Sequence, residues 1–417
     1  MNRPVRNLSF ALLLALLCLA AYAPVLNNGF IADDYVLLEW SDKLKQDFLF
    51  LFTIPPMNFR TTSIALYGLL KSVFGFRYEF FYAFNILLHF INAFLFSRLL
   101  MLTTRDKVVA FAGAAMFAVF QAPQEAVMWI TGMGETLQGL FVLCTLLAWL
   151  KHRYFWSAVF FFLALFSKES ALMVLALVPA LQWQQRKKLF PPAYGILLIP
   201  VAIFVAVFLH TWSTNHFIQK NVYVIGPQAA MVVGRTLLRL LWPWLVVILV
   251  LFRIDLRRWP KARPVGAAIA TVTLTLLPYM FLTYSGYLPS RQVYTASMVF
   301  VWLLAWLYAQ LQNPKLRIAF ASAFLVVNLS YLWFQKDRQF ELRAAPTNEL
   351  LKLLRSHQPT QILIFDFPYR EPDVPKDVSF LVPGWTRDLV GVYGTGESCT
   401  DCLILHWDAQ TQTLVSR

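Results

Sequence analysis

From Leu8 onward the chain alternates apolar runs with short polar turns. Runs of roughly 15–22 residues, enough to cross about 30 Å of hydrocarbon at about 1.5 Å per residue, centre near residues 17, 90, 114, 143, 161, 176, 200, 240, 275, 301 and 325. The pattern predicts an all-α polytopic membrane protein with about 11 transmembrane helices. The stretch from Asn27 to Arg77 is of another kind. Its segments Asp34–Trp40, Leu44–Phe52 and Thr61–Phe74 are apolar on one side and interrupted by Pro55-Pro56. This predicts short interfacial helices that line the membrane surface in the first outer loop. Past Trp333 the sequence QKDRQFELRAAPTNELLKLLRSHQPT reads as a linker and one helix, and QILIFDF and CLILHW read as strands. The expected division is therefore a transmembrane domain over 1–335 and a small C-terminal α/β tail over 336–417.

Composition turns the pattern into a class. Hydrophobic residues make up 59% of the 417 and charged residues 14%, against about 45–50% and about 25% in soluble globular chains. So much apolar surface does not fit inside one water-soluble core.

The net charge of +14 would suggest nucleic acid if the basic residues formed stripes beside aromatic platforms. They sit instead in clusters between apolar runs: Arg3 and Arg6, Arg98/Arg105/Lys107, Lys151/Arg153, Arg186/Lys187/Lys188, Arg253/Arg257/Arg258/Lys261/Arg263 and Lys315/Arg317. By the positive-inside rule these turns face the cytoplasm, and the loops around 27–78, 121–135, 167–169, 211–228 and 284–291 face the other side together with the tail. Ala21-Tyr22-Ala23 looks like a signal-cleavage site, but Pro24 would follow the cut and many spans come after it, so the first run reads as a retained anchor. Cys399 and Cys402 are placed for a small disulfide or for two free thiols, and the sequence leaves both open. Cys18 and Cys144 read as small apolar residues within spans. No 20–50-residue repeat, P-loop or GxGxxG stretch is present.

Charges inside or beside spans are costly unless they face a partner or a cavity. Here they gather on the non-cytoplasmic side: Asp33, Asp34, Glu39, Glu125 and Glu135 among the acids, and Arg60, His89, Lys168 and Arg291 among the bases. Each also has a purely structural reading. One of Asp33 and Asp34 could cap the helix that follows, and since one carboxylate suffices for a cap, the other is surplus. Lys168-Glu169 could be a capping ion pair. His89, with Asn85 and Asn92 at i−4 and i+3 on one helical face, reads first as an interhelical hydrogen bonder. Asp366 and His406 read as strand-end polar residues, since no third group completes a mechanism.

Five segments, taken together and in order over residues 27–297, resemble the GT-C superfamily of membrane glycosyltransferases, near the protein O-mannosyltransferases, the aminoarabinose transferases and the transmembrane-TPR mannosyltransferases. NNGFIADDY resembles their first-loop diacidic motif. FRTTSIALYGLLKSVFG and FNILLHFINAFLF are similar to their Arg-Pro segment with its interfacial helix and N-x-x-x-H-x-x-N face. QEAVMWITGMGETL, FLALFSKESALMVL and SRQVYTAS resemble an E-A-V-x-W-I-x-G stretch, an S-K-E-[ST] turn and an R-Y-x-Y-x-x-S run. Thr61, Met133, Ser290 and Gln292 depart from the residues usual there, and the tail lies outside the resemblance.

The resemblance implies transfer of a sugar from a polyprenyl-phosphate donor to an acceptor hydroxyl of a glycan, lipid or protein, with inversion, at the periplasmic or luminal face of a membrane such as a bacterial inner membrane. It implies Asp33 as general base with Asp34 as second candidate, and Arg291, Lys168, Arg60 and His89 around the donor phosphate. Glu125, Glu135, Glu169 and Tyr294 then line the same cavity. A divalent metal on Asp33 and Glu125 is an open expectation, because some relatives use one and others do not. The rival readings are a lipid-linked saccharide flippase or transporter, and a glycan polymerase or ligase.

Overall fold

The computed structural model describes residues 3–47, 49–50, 60–213, 226–255, 262–279, 286–369, 373–392 and 402–416. Each apolar run centred in the sequence lies in helix. Those that matter here are α1 (Arg3–Tyr22), α2 (Asp33–Gln46), α3 (Thr61–Phe74), α4 (Tyr78–Thr104), α5 (Lys107–Val119), α6 (Gln124–Met128), α7 (Met133–Leu150), α8 (Tyr154–Leu165), α9 (Val174–Gln184), α10 (Leu198–His210), α11 (Gln228–Leu241), α12 (Trp244–Asp255), α13 (Ala262–Leu276), α14 (Tyr294–Gln310), α15 (Pro314–Ser330), α16 (Arg338–Ser356) and α17 (Asp373–Ser379).

The expected count of about 11 spans is not confirmed by these lengths. Among the described residues six helices are long and apolar enough to cross a bilayer, or seven if the pair Gln228–Leu241 and Trp244–Leu251, bent by 51°, counts as one. Apolar runs do not convert directly into spanning helices, because several of them lie in helices of 10–17 residues, Lys107–Val119, Tyr154–Leu165 and Val265–Tyr279. α5, with 13 residues, rises only about 20 Å, short of the roughly 30 Å hydrocarbon layer. The long apolar helices are those of a membrane-type bundle.

Its centre is α4 with α5, α7 and α14 packed around it, where Tyr82, Phe117, Phe120, Tyr294 and Phe300 are fully buried. Phe117 lies edge-on to Tyr294 with ring centroids 5.3 Å apart, the offset geometry that aromatic quadrupoles favour. α2 and α3 pack side by side, as expected of the first loop. Lys71 of α3 is buried and tied to Asp42 at 2.6 Å and to the Leu38 carbonyl at 2.7 Å, both on α2. The expected segment Leu44–Phe52 falls partly in α2 and partly outside the described residues.

The tail is joined more firmly than its composition implies. Pro314–Ser356 is one helical rod of 43 residues that passes through a seven-residue π segment, Tyr331–Asp337, so the expected linker after residue 335 is helix. The strands then form a four-stranded sheet, ordered β2 (Val390–Val392), β1 (Ile362–Phe365), β3 (Leu403–Asp408), β4 (Thr413–Ser416). β1 is parallel to β2 and β3, and β3 is antiparallel to β4. Cys402 is disulfide-bonded and Cys18 and Cys144 are free; Cys399 lies outside the described residues.

The rod seats on the stretch before α2. Thr347 Oγ1 donates to the Phe30 carbonyl at 3.0 Å, Asn348 Nδ2 to the Asn28 carbonyl at 3.0 Å, and Asn28 Nδ2 to Asp337 at 3.3 Å. Gly29 makes this seat close. Its φ of +88° suits glycine alone, and a Cβ there would lie 2.5 Å from the Asn348 amide. Farther along, Arg387 bonds both Glu39 of α2 and Asp377 of α17. The tail is therefore packed on the first loop.

Candidate functional site

Apart from His89, the sequence-derived charges of the candidate site sit at or beside connections on one end of the bundle: after α1, before α3, between α5 and α7, between α8 and α9, and before α14. Chain sense alone brings them to that end, since each helix between them runs out and returns. The chain enters α2 through Ala32, whose φ of 42° lies in the left-handed region where a non-glycine residue is strained. Within the helix the two adjacent carboxylates point about 100° apart.

Asp33 is exposed and Asp34 is 1% exposed. Asp34 Oδ2 accepts from the Ile31 amide at 2.9 Å, and its Oδ1 accepts from the Thr131 amide and hydroxyl at 2.8 and 2.5 Å. Asp34 thereby closes its own turn and ties the first loop to the 129–132 turn. Burial pushes its carboxyl up to about 7, against the opposing pull of the bonds from Thr131 and Ile31. Asp34 is thus structural, though not as the expected cap: Ala32 holds the N-cap position without a side-chain bond, and Asp34 ties the Ile31 amide ahead of the helix and Thr131, while Asp33 is the exposed carboxylate.

The 129–132 turn is held from several sides. Trp129 Nε1 donates to the Ile31 carbonyl at 3.4 Å, and Tyr67 of α3 donates to the Ile130 carbonyl at 2.7 Å. Gly132 lets the chain fold back on α6, since a Cβ there would meet the Glu125 carbonyl at 2.2 Å. Against this turn lies Glu125, whose Oε2 is 3.5 Å from Arg291 and whose Oε1 is 3.6 Å from Arg343 of α16. Both guanidinium groups rest on the Trp129 ring, 4.9 and 4.5 Å from its centroid, in cation–π contact.

A second group of charges lies beside it. Arg60, just ahead of α3, grips Glu169 with two bonds, Nε to Oε2 at 3.3 Å and Nη2 to Oε1 at 3.1 Å. Burial raises the Glu169 carboxyl, but Arg60 and Lys168 outweigh it and hold the group down to about 2. Lys168 is 3.4 Å from Glu135, whose other oxygen accepts from Tyr279 at 2.8 Å. Burial lowers the Lys168 pKa, and repulsion from Arg60 and Arg291 lowers it further while Glu135 and Glu169 oppose the change. Arg60 and Arg291, from two distant connections, are therefore both close enough to act on Lys168.

His89 and Tyr294 do not belong with them. Both are fully buried in the bundle centre. His89 Nε2 is 3.2 Å from the Ala118 carbonyl and Nδ1 is 2.8 Å from Tyr294 Oη. A carbonyl only accepts, so Nε2 carries the proton. In the neutral ring Nδ1 then accepts from Tyr294, and the Tyr294 oxygen accepts from Asn92 Nδ2 at 2.9 Å. Asn85 completes the face, donating to the Ala126 and Val127 carbonyls at 2.8 and 3.0 Å. The structure places His89, expected beside the donor phosphate, and Tyr294, expected along the cavity, in the bundle interior apart from those charges. Every polar atom of that histidine already joins helices.

The metal expected on Asp33 and Glu125 finds no third ligand among the described residues. No group of three His, Cys, Asp or Glu side chains comes together among the described residues, and Glu125 is flanked by two guanidinium groups whose charge opposes a divalent cation. This donor set does not fit a metal. In the tail, Asp366 is exposed and sits 3.7 Å from His406 on the neighbouring strand, as expected of a strand-end pair. A cavity of about 610 Å³ lies toward the other end of the bundle, walled by Leu99, Leu143, Leu146, Leu181, Met298 and Trp302. None of the candidate charges lines it.

Two positions at this end were not singled out from the sequence. Arg343 lay in the stretch read as a linker and one helix, and Thr131 carried no charge to attract notice. A signal existed for Arg343: Phe340, Ala344, Thr347, Leu350 and Leu354, all buried, recur at helical spacing. No protein-family model matches the chain, and no curated protein matches it.

Proposed function

We propose that the chain is a membrane glycosyltransferase of GT-C type that moves a sugar from a polyprenyl-phosphate donor to an acceptor hydroxyl, at the non-cytoplasmic face of its membrane. One observation carries this reading. Lys168, Arg60 and Arg291 gather at one end of an apolar bundle, each beside a carboxylate, and Lys168, half-buried there, is repelled by the other two. Crowded cations of this kind gain most when an anion arrives between them. A phosphate anchored by an apolar tail delivers an anion at that depth.

In the proposed reaction the exposed Asp33 takes the proton of the acceptor hydroxyl, and the oxygen attacks the anomeric carbon. A carbon–oxygen bond to the acceptor forms, the bond to phosphate breaks, and the configuration inverts. Asp33 acts as general base, a role that contributes typically about 10²–10⁴-fold. Arg60, Lys168 and Arg291 face the charge that grows on the leaving phosphate. Glu169 and Glu135 hold two of those cations in place, so little reorganisation is needed as charge develops. Asp34 keeps the helix start that presents Asp33.

The test is an assay in reconstituted membranes with a short-chain polyprenyl-phosphate sugar, comparing wild type with Asp33→Asn. Transfer is expected to fall by about 10²-fold or more in the variant. Undiminished transfer would end the assignment of Asp33. Movement of lipid-linked saccharide across the membrane, with no glycosidic bond formed, would replace the reading with transport.

A further inference from the structure

The tail helix puts a residue into the site that neither the charge pattern nor the first 335 residues supply. We infer that Arg343, paired with Arg291 across Trp129, forms a two-guanidinium clamp for the phosphate of an isoprenoid phosphate, with Glu125 holding the clamp until that phosphate arrives. The inference rests on the glycosyltransferase reading and deepens it.

The geometry of Glu125 carries the argument. Its two carboxylate oxygens are divided between the two arginines, Oε2 toward Arg291 at 3.5 Å and Oε1 toward Arg343 at 3.6 Å. Each guanidinium lies over the Trp129 ring, and Arg343 also lies 5.1 Å from the Phe340 ring centroid. Aromatic faces thus fix the planes of both forks while their N–H groups meet one small anion. A carboxylate that bridges two guanidinium groups marks a place where a phosphate, with more oxygens and more charge, fits at least as well. The distances to Glu125 are long for charge-assisted hydrogen bonds, which run at about 2.7–2.9 Å. Glu125 therefore satisfies the arginines loosely and can be displaced.

The tail fixes where Arg343 stands. Thr347 and Asn348, one turn onward, bond the Phe30 and Asn28 carbonyls, and Tyr369 after β1 donates to the Arg343 carbonyl. The same seat on residues 28–30 leads directly into Asp33 and Asp34. On this account the tail completes the donor site and sets it against the first loop.

The experiment measures binding of farnesyl phosphate to the full-length protein in detergent, by ligand-induced thermal stabilisation, with farnesol as the uncharged control. Wild type is expected to be stabilised by farnesyl phosphate well beyond farnesol. Arg343→Ala should weaken that binding about tenfold or more and Arg343→Lys should restore it only in part, because a lysine cannot fork. Arg338→Ala, an exposed arginine on the same helix, should leave it unchanged. Glu125→Gln should tighten binding several-fold, a change of opposite sign that loss of a merely structural ion pair would not give. If wild type binds farnesyl phosphate and Arg343→Ala binds it equally, the clamp is wrong and the glycosyltransferase reading stands. Weaker binding in Glu125→Gln would likewise overturn the clamp. No preference of the wild type for the phosphate over the alcohol would overturn both.

Discussion

Replacing Asp34 with asparagine changes one atom's chemistry in a buried site, and the structure gives both the size and the sign of the effect. In the folded chain this carboxyl titrates near 7, against an ordinary value of 3.8, because burial disfavours its charge. The folded state then holds the proton more tightly than the unfolded state. The corresponding stability is fully present below about pH 4 and is lost as pH rises toward about 7. A span of about three pH units at about 1.4 kcal/mol each makes the loss roughly 4 kcal/mol. Asparagine has no proton to lose there, but it turns an amide NH₂ toward the Ile31 N–H, at a cost of about 1–3 kcal/mol at every pH. The variant should therefore be less stable than wild type near pH 4 and more stable above pH 7. Denaturant titrations of both proteins in the same detergent, repeated across this range, give the difference directly, and every other titrating group cancels from it. A difference independent of pH would refute the buried, hydrogen-bonded placement of Asp34.

Two other substitutions test the neighbouring pairs. Glu169→Gln should destabilise the protein by about 3 kcal/mol near neutrality, because Arg60 and Lys168 hold that carboxyl down to about 2 from an ordinary 4.5. This contribution is present above pH 4.5 and disappears as pH falls through about 2, so the gap between variant and wild type in denaturant titration should narrow toward acid. His89→Ala leaves the Tyr294 hydroxyl and the Ala118 carbonyl without their partner and opens a cavity, costing about 2–5 kcal/mol. Transfer activity per folded molecule should nevertheless stay near that of wild type. A loss of activity without a loss of stability would return His89 to the donor site.

The helical runs and the polar end of the bundle were legible in the sequence because both rest on periodicity and hydropathy, which are local. The N-x-x-x-H-x-x-N face of α4 was legible for the same reason: residues at i, i+4 and i+7 share a side, and Asn85, His89 and Asn92 do join one network. The chemical task of that face was not, since a buried histidine and a cavity histidine share the same spacing. The span count of about 11 is not confirmed among the described residues because hydropathy sums residues whatever the length of the helix they form, and three apolar runs lie in helices of 10–17 residues. Arg343 was hidden for another reason: the stretch after Trp333 reads as a linker and one helix, and a helix rich in charge does not say which of its charges face the bundle.

Asp33 and Asp34 show most clearly where the sequence stops. Both are acidic, both open the same helix, and consecutive helical residues point about 100° apart, so at most one of them faces the core. Nothing local says which. The answer depends on Thr131, 97 positions away, whose amide and hydroxyl both turn toward Asp34, and on the Gly132 fold-back that puts Thr131 there. The carboxylate that looked surplus beside a helix cap becomes two separable roles. Asp34 fixes the direction of α2, and that direction is what aims Asp33 out of the protein. Asp34→Asn, which loses the Ile31 bond but can keep an oxygen toward Thr131, should consequently lower transfer far less than Asp33→Asn does, while Asp33→Asn leaves the pH profile of stability that belongs to Asp34.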